Sequence, residues 1–124
     1  LLGICLGMQL LFDHGEEHGD TAGLGLIPGR VRLMQPEAPH RLPHVGWNSL
    51  SECKGQLLEN LPDSYTYFVH SYYAELCENT SALCDYILSF SAALRKDNFH
   101  AVQFHPEKSG EVGERLIKNF LEIN

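Results

Sequence analysis

Basic residues are scarce in this sequence: nine Lys and Arg stand against sixteen Asp and Glu, for a formal charge of -7. Phosphate binding needs clustered cations, so this balance argues against a nucleic-acid surface, and solubility accounts for it. Long apolar runs are missing as well. None approaches the roughly 20 residues that span a bilayer, and no basic segment leads into a signal-peptide core. A cytoplasmic chain with no membrane partner is expected. Cys5, Cys53, Cys77 and Cys84 form no Cys-x-x-Cys pair, and there is no His-Glu-x-x-His stretch. Neither a metal nor another cofactor is expected, and the thiols should be reduced, since the chain is not cysteine-dense. Repeats and low-complexity segments are absent from the sequence too.

What is there has ordinary globular proportions, with 44% hydrophobic and 20% charged residues. A chain of 124 residues suffices for one domain that buries about two-thirds of its unfolded surface. Leu1-Leu2-Gly3-Ile4-Cys5 begins without Met and reads as the end of a buried strand whose start is absent. Residues 1–124 are therefore expected to be the C-terminal part of a single domain.

Residues 6–12 have apolar positions at helical spacing and run into Asp13-His14-Gly15, with Gly placed to end a helix. Residues 14–25, rich in Gly, Glu and Asp, are expected to form a mobile loop. Short strands are expected at 30–33 and 44–47, with Pro36, Pro39 and Pro43 breaking the link between them. Residues 56–61 read as a helical turn or two stopped by Pro62, and 65–69 as an aromatic strand. The apolar runs 83–90, 92–94 and 99–104 suggest a hairpin or meander with Lys96-Asp97-Asn98 as a turn. Val112, Leu116, Ile117, Phe120 and Leu121 mark the core face of a closing amphipathic helix.

Gly3-Ile4-Cys5-Leu6-Gly7 has the shape of a nucleophile elbow, where a strand turns sharply into a helix and small neighbours permit a strained, exposed nucleophile. A thiol at a helix N-terminus gains from the dipole, so its pKa is expected to fall below the free value of about 8.5. Composition alone yields one Gly-x-Cys-x-Gly with roughly 3% chance, and a buried strand cysteine is the plain alternative. A second cluster supports the elbow. In Gln103-Phe104-His105-Pro106-Glu107 an apolar strand ends in a His and a carboxylate, because Pro106 cannot continue a ladder. If parallel pairing sets this strand end beside the elbow, His105 takes the thiol proton while Glu107 fixes its tautomer. His14, His18, His40 and His100 are expected to be solvated or structural.

Cys5-Leu6-Gly7-Met8-Gln9 and Phe104-His105-Pro106-Glu107 together resemble the class I glutamine amidotransferase family. Within it the chain resembles the glutaminase subunits of imidazole glycerol phosphate synthases. That likeness is carried by Leu26-Ile27-Pro28-Gly29, Pro43-His44-Val45-Gly46-Trp47-Asn48, Tyr67-Phe68-Val69-His70-Ser71-Tyr72 and Lys108-Ser109-Gly110. It covers essentially the whole chain.

The resemblance implies an α/β fold, a three-layer mixed sheet flanked by helices and incomplete at the N-terminus. It implies a triad in which Cys5 attacks glutamine, His105 serves as base and acid, and Glu107 orients His105. Gln9 and the backbone of Ser71 and Tyr72 would hold the substrate glutamine. Ammonia would pass to a cyclase subunit, in a heterodimer, to make imidazole glycerol phosphate for histidine biosynthesis. Trp47, Tyr67 and Lys108 match positions that face this partner. The family's upstream half, with a loop completing the oxyanion hole, has no counterpart in this sequence. Two further readings stay open: a subunit of another class I amidotransferase, against which residues 43–48 speak, and a cyclase-binding remnant without catalysis.

Overall fold

A computed structural model describes residues 1–16 and 21–123. In chain order it runs β1 (Leu2–Ile4), α1 (Leu6–Gln9), β2 (Phe12–Gly15), β3 (Thr21–Ala22), β4 (Ile27–Leu33) and β5 (His44–Ser49). There follow β6 (Tyr65–His70), β7 (Tyr72–Ala74), β8 (Thr80–Tyr86), β9 (Leu88–Lys96), β10 (Phe99–Val102) and α2 (Gly110–Glu122). Two 3₁₀ turns lie at Gln56–Leu58 and Pro106–Lys108.

The α/β class and the mixed sheet hold. One sheet has the order β1-β10-β9-β8, a second β3-β2-β4-β7, and β5 and β6 form a ribbon. β1 runs parallel to β10, with Gly3 opposite Ala101, and β2 runs parallel to β4, while the remaining pairs are antiparallel. The expected meander is β8-β9-β10, but its first turn falls at Ile87 (φ +68°) inside the apolar run 83–90. Periodicity missed this turn because the central strand has no polar face. Phe90, Ser91, Ala92, Ala93 and Leu94 are all buried, as in a strand covered on both sides.

The helix expected over 6–12 is a single turn, and Phe12 to Gly15 form a strand instead. Tertiary bonds explain the change. The carbonyls that would continue the helix accept from residues 24–27: Leu24 N–H to Leu10 O at 2.8 Å, Leu26 N–H to Leu11 O at 2.9 Å and Gly25 N–H to Phe12 O at 3.2 Å. Leu11 and Phe12 are thereby pinned in the core. The loop expected over 14–25 is correspondingly shorter, since His14 pairs with Ala22 between β2 and β3. The rest of that expectation, and His18, fall on 17–20, outside the described residues.

In α2 the buried face is Val112, Gly113, Leu116 and Asn119, whereas Ile117 and Leu121 are exposed. Gly113 lets the helix touch the turn after His105, for a Cβ there would sit 1.8 Å from the Pro106 carbonyl. Asn119 is buried because its amide donates to Leu57 O (3.0 Å) and Glu59 O (2.8 Å), tying α2 to the 3₁₀ turn. Phe68, Phe90 and Phe104 form the centre of the larger core, with Phe68 edge-on to the other two at 5.8 Å. Among the described residues no helix is long and apolar enough to cross a membrane.

Candidate active site

Cys5 sits where β1 turns into α1, at φ +52° and ψ -105°. A non-glycine residue there is strained by about 1–3 kcal/mol, a cost usually borne at functional positions. The turn is held from both sides. Cys5 N–H donates to Val102 O at 2.8 Å, and Cys5 O accepts from Met8 N–H at 3.1 Å and Gln9 N–H at 3.2 Å. Only one flanking glycine is required by space. A Cβ on Gly3 would lie 2.9 Å from Gly7 backbone atoms, while one on Gly7 would meet nothing within 4 Å. Gly3→Ala is therefore expected to cost about 1–3 kcal/mol by overpacking backbone on backbone. Gly7→Ala is expected to be neutral or to stabilise by up to about 1 kcal/mol. Urea midpoints of the two variants check this, and equal midpoints would remove the argument for Gly3.

His105 stands three residues past β10, extended before Pro106 at φ -102° and ψ 100°. Its Nδ1 lies 3.0 Å from Glu107 Oε2. With Nδ1–H donating to this carboxylate, Nε2 keeps its lone pair and is the basic atom. Its backbone is clamped, since His105 N–H donates to Tyr67 O at 2.9 Å and Ser109 Oγ donates to His105 O at 2.7 Å. The Cys5 sulfur reaches the same strand two residues on, 3.9 Å from Val69 O. Parallel pairing of β1 with β10 thus sets Cys5 and the His105–Glu107 pair against the same strand, β6, at Val69 and Tyr67. α1 is a single turn, too short to sum to an appreciable macrodipole at Cys5.

Gln9, expected on the pocket wall, is half-buried, and its Nε2 donates to Tyr72 O (3.3 Å) and Gln103 Oε1 (3.1 Å). Ser71 and Tyr72 lie between β6 and β7, and their carbonyls are engaged by Met34 N–H (2.9 Å) and by Gln9 and His70. Sequence reasoning assigned no role to Gln103, which is fully buried and places Nε2 3.5 Å from the Cys5 sulfur. Nor did it single out His44 and His70. His70 Nδ1–H donates to Tyr72 O (2.7 Å), His44 Nδ1–H to His70 Nε2 (3.0 Å), and Asn48 Nδ2 to His44 Nε2 (3.2 Å). These contacts form one polar chain from β5 to the Cys5 sulfur. A polar residue at an inward position of an otherwise apolar strand is the signal that marks them.

Burial holds His44 and His70 neutral, each pushed down to about 4. Burial also pushes the Cys84 thiol up to about 12, so that sulfur is inert near neutrality. None of the four cysteines is joined in a disulfide, and no cluster of metal ligands is found among the described residues. Trp47 and Tyr67 face each other across the β5-β6 ribbon, rings 6.0 Å apart and edge-on. Trp47, Val45 and Tyr65 are more than half exposed, at 55%, 55% and 53%. Lys108 is exposed in the 3₁₀ turn beside Glu107.

A strained cysteine at a strand-to-helix elbow, and a His-carboxylate pair just after the parallel neighbouring strand, are features that cysteine-triad hydrolases share. The family described as glutamine amidotransferase class-I matches residues 1–123, and the chain belongs to it. It is 53% identical to the imidazole glycerol phosphate synthase subunit HisH of Bacteroides fragilis over 99% of this chain and 63% of that protein. The subunit of the same name from Deinococcus radiodurans is 52% identical, covering 97% of this chain and 58% of that one. The chain thus spans about three-fifths of the length of these relatives. The crystal structure of a glutamine amidotransferase superposes with a TM-score of 0.62 at 23% identity, over 98% of this chain and 59% of the other, which establishes the fold.

Proposed function

We propose that this chain is the C-terminal part of a glutamine amidotransferase domain and carries its glutaminase triad. The observation that carries this reading is the strained Cys5 held against β6 at Val69, with the His105–Glu107 pair, carboxylate 3.0 Å from Nδ1, clamped to the same strand at Tyr67. The Cys5 thiol proton passes to His105 Nε2, and the sulfur attacks the side-chain carboxamide carbon of glutamine. His105 returns the proton to the amine as the C–N bond breaks, and ammonia leaves. Water, deprotonated by His105, then cleaves the glutamyl thioester to glutamate and regenerates the thiol. Gln9 and the Ser71-Tyr72 backbone border the substrate. The exposed outer edge of β1, with Leu1, Leu6, Leu10 and Leu24 also exposed, supports a domain continued by further structure.

The ammonia goes to a cyclase subunit that makes imidazole glycerol phosphate in histidine biosynthesis. The close likeness to HisH subunits supports this partner. Its contact face is the outer side of the β5-β6 ribbon, with Trp47 and Tyr67 as aromatic anchors and Lys108 at the rim. Free thiols fit a cytoplasmic location.

A diazoketone analogue of glutamine tests the reading. Intact mass is expected to show one adduct, absent in Cys5→Ala and formed faster when the cyclase is present. The chain is to be assayed as it stands and extended upstream to the length of its relatives. An adduct that persists in Cys5→Ala, or none even in the extended form, overturns the assignment.

A further inference from the structure

We propose that Gln103 is a positioning residue for the nucleophile: its side-chain amide holds the Cys5 sulfur in place and favours the thiolate over the thiol. The proposal rests on the reading of Cys5 above. Gln103 follows β10 directly, two residues before His105, with its backbone N–H fixed on Ala92 O at 2.8 Å. Its side chain is fully buried, a position that is costly for an amide unless both ends are bonded. Both ends are. Nε2 lies 3.5 Å from Cys5 Sγ, and Oε1 accepts from Gln9 Nε2 at 3.1 Å.

Gln9 sets the orientation of this amide. Its Nε2 also donates to Tyr72 O at 3.3 Å, and that carbonyl is anchored by His70 Nδ1–H at 2.7 Å. Turning the Gln103 amide over would set its N–H donors against those of Gln9 and leave the sulfur facing an oxygen. Two unlike groups thus stand among the neighbours of the sulfur. Val69 O, at 3.9 Å, accepts from the thiol S–H, and Gln103 Nε2–H donates to a thiolate. A hydrogen bond to the charged form lowers the cost of ionisation. With α1 only one turn long, this donor supplies stabilisation that a helix dipole does not.

The test follows iodoacetamide alkylation of each cysteine by mass spectrometry across pH. In Gln103→Met, close in size but with no donor, the Cys5 profile is expected to move up by about one pH unit, making alkylation roughly tenfold slower near neutrality. Gln103→Glu, which adds a like charge, is expected to move it further. Gln9→Met, which only frees the amide, should move it less. Buried Cys84, its thiol pushed up to about 12, reports on folding by staying unlabelled. An unmoved Cys5 profile in Gln103→Met with Cys84 protected overturns the proposal. Should that variant unfold, the parent decides: the Gln103 side-chain amide NMR signal must shift as Cys5 titrates and stay still in Cys5→Ser. A signal that does not respond overturns the proposal as well. Alkylation needs no glutamine pocket, whereas the diazoketone does, so failure here and failure of the glutaminase reading are told apart.

Discussion

Glutamine hydrolysis is expected to fall at least about thousandfold in Cys5→Ala and in His105→Asn, but only about ten- to a hundredfold in Glu107→Gln. Without the sulfur there is no covalent intermediate. Without His105 Nε2 there is neither an acceptor for the thiol proton nor a donor to the leaving amine, so two steps fail together. A thousandfold loss corresponds to about 4 kcal/mol of transition-state stabilisation. Glu107 is in a different position. Its side chain is 52% exposed, against 20% for His105, so water can take over as acceptor for Nδ1–H. Gln keeps an oxygen there too, and what is lost is the charge that stabilises imidazolium, a modest term in a wet setting. The measurement is kcat/KM for glutamate formation with the cyclase present. The double variant Cys5→Ala/His105→Asn should be no slower than either single one, because the two groups act as a unit. His105→Asn within tenfold of the parent would point to another base, and Glu107→Gln as damaged as His105→Asn would refute the argument from exposure.

The elbow at Cys5 and the strand end at His105 were legible because their geometry constrains local sequence. A cysteine in a strained turn against a neighbouring backbone needs Gly3, and a histidine held at a strand end is marked by Pro106. Helical and strand periodicity located β4, β5, β6 and α2 for the same reason, since each has one wet face. It failed where the wet face is missing. β9 is covered on both sides, so the turn at Ile87 left no polar trace, and the 6–12 segment gave up its helix to tertiary bonds with 24–27. The second tier of the site was least visible. His44 meets His70 across 26 residues of chain and Gln103 meets Cys5 across 98, and no local spacing encodes such pairs.

Acid is expected to weaken the fold over a window set by the buried histidines. His44 and His70 are 3% and 6% exposed, and burial is the first cause that pushes each ring down to about 4 from 6.5. For His44 the neighbouring His70 and His40 act in the same direction. For His70 the bond to Tyr72 O opposes the shift and His105 adds to it. His100 is lowered also, first by burial. Below about pH 6.5 the unfolded rings take up protons that the folded rings refuse, so unfolding binds protons and stability falls as pH falls. The contribution is fully present above that pH and is lost on the way down to about pH 4. At about pH 5, with the share of His44 discounted for its place under the half-exposed Asn48, the loss is about 3 kcal/mol. That is a large part of a typical domain's 5–15 kcal/mol. Urea unfolding at about pH 7.5 and about pH 5 measures it. In His44→Phe the stack on Tyr86, 4.0 Å between centroids, is kept while one titrating ring is removed. Stability near neutrality should drop from the lost bonds to His70 and Asn48, yet the further loss on acidification should shrink by about half. Equal unfolding free energies at the two pH values, or an undiminished acid loss in His44→Phe, would mean that these rings do not set the window.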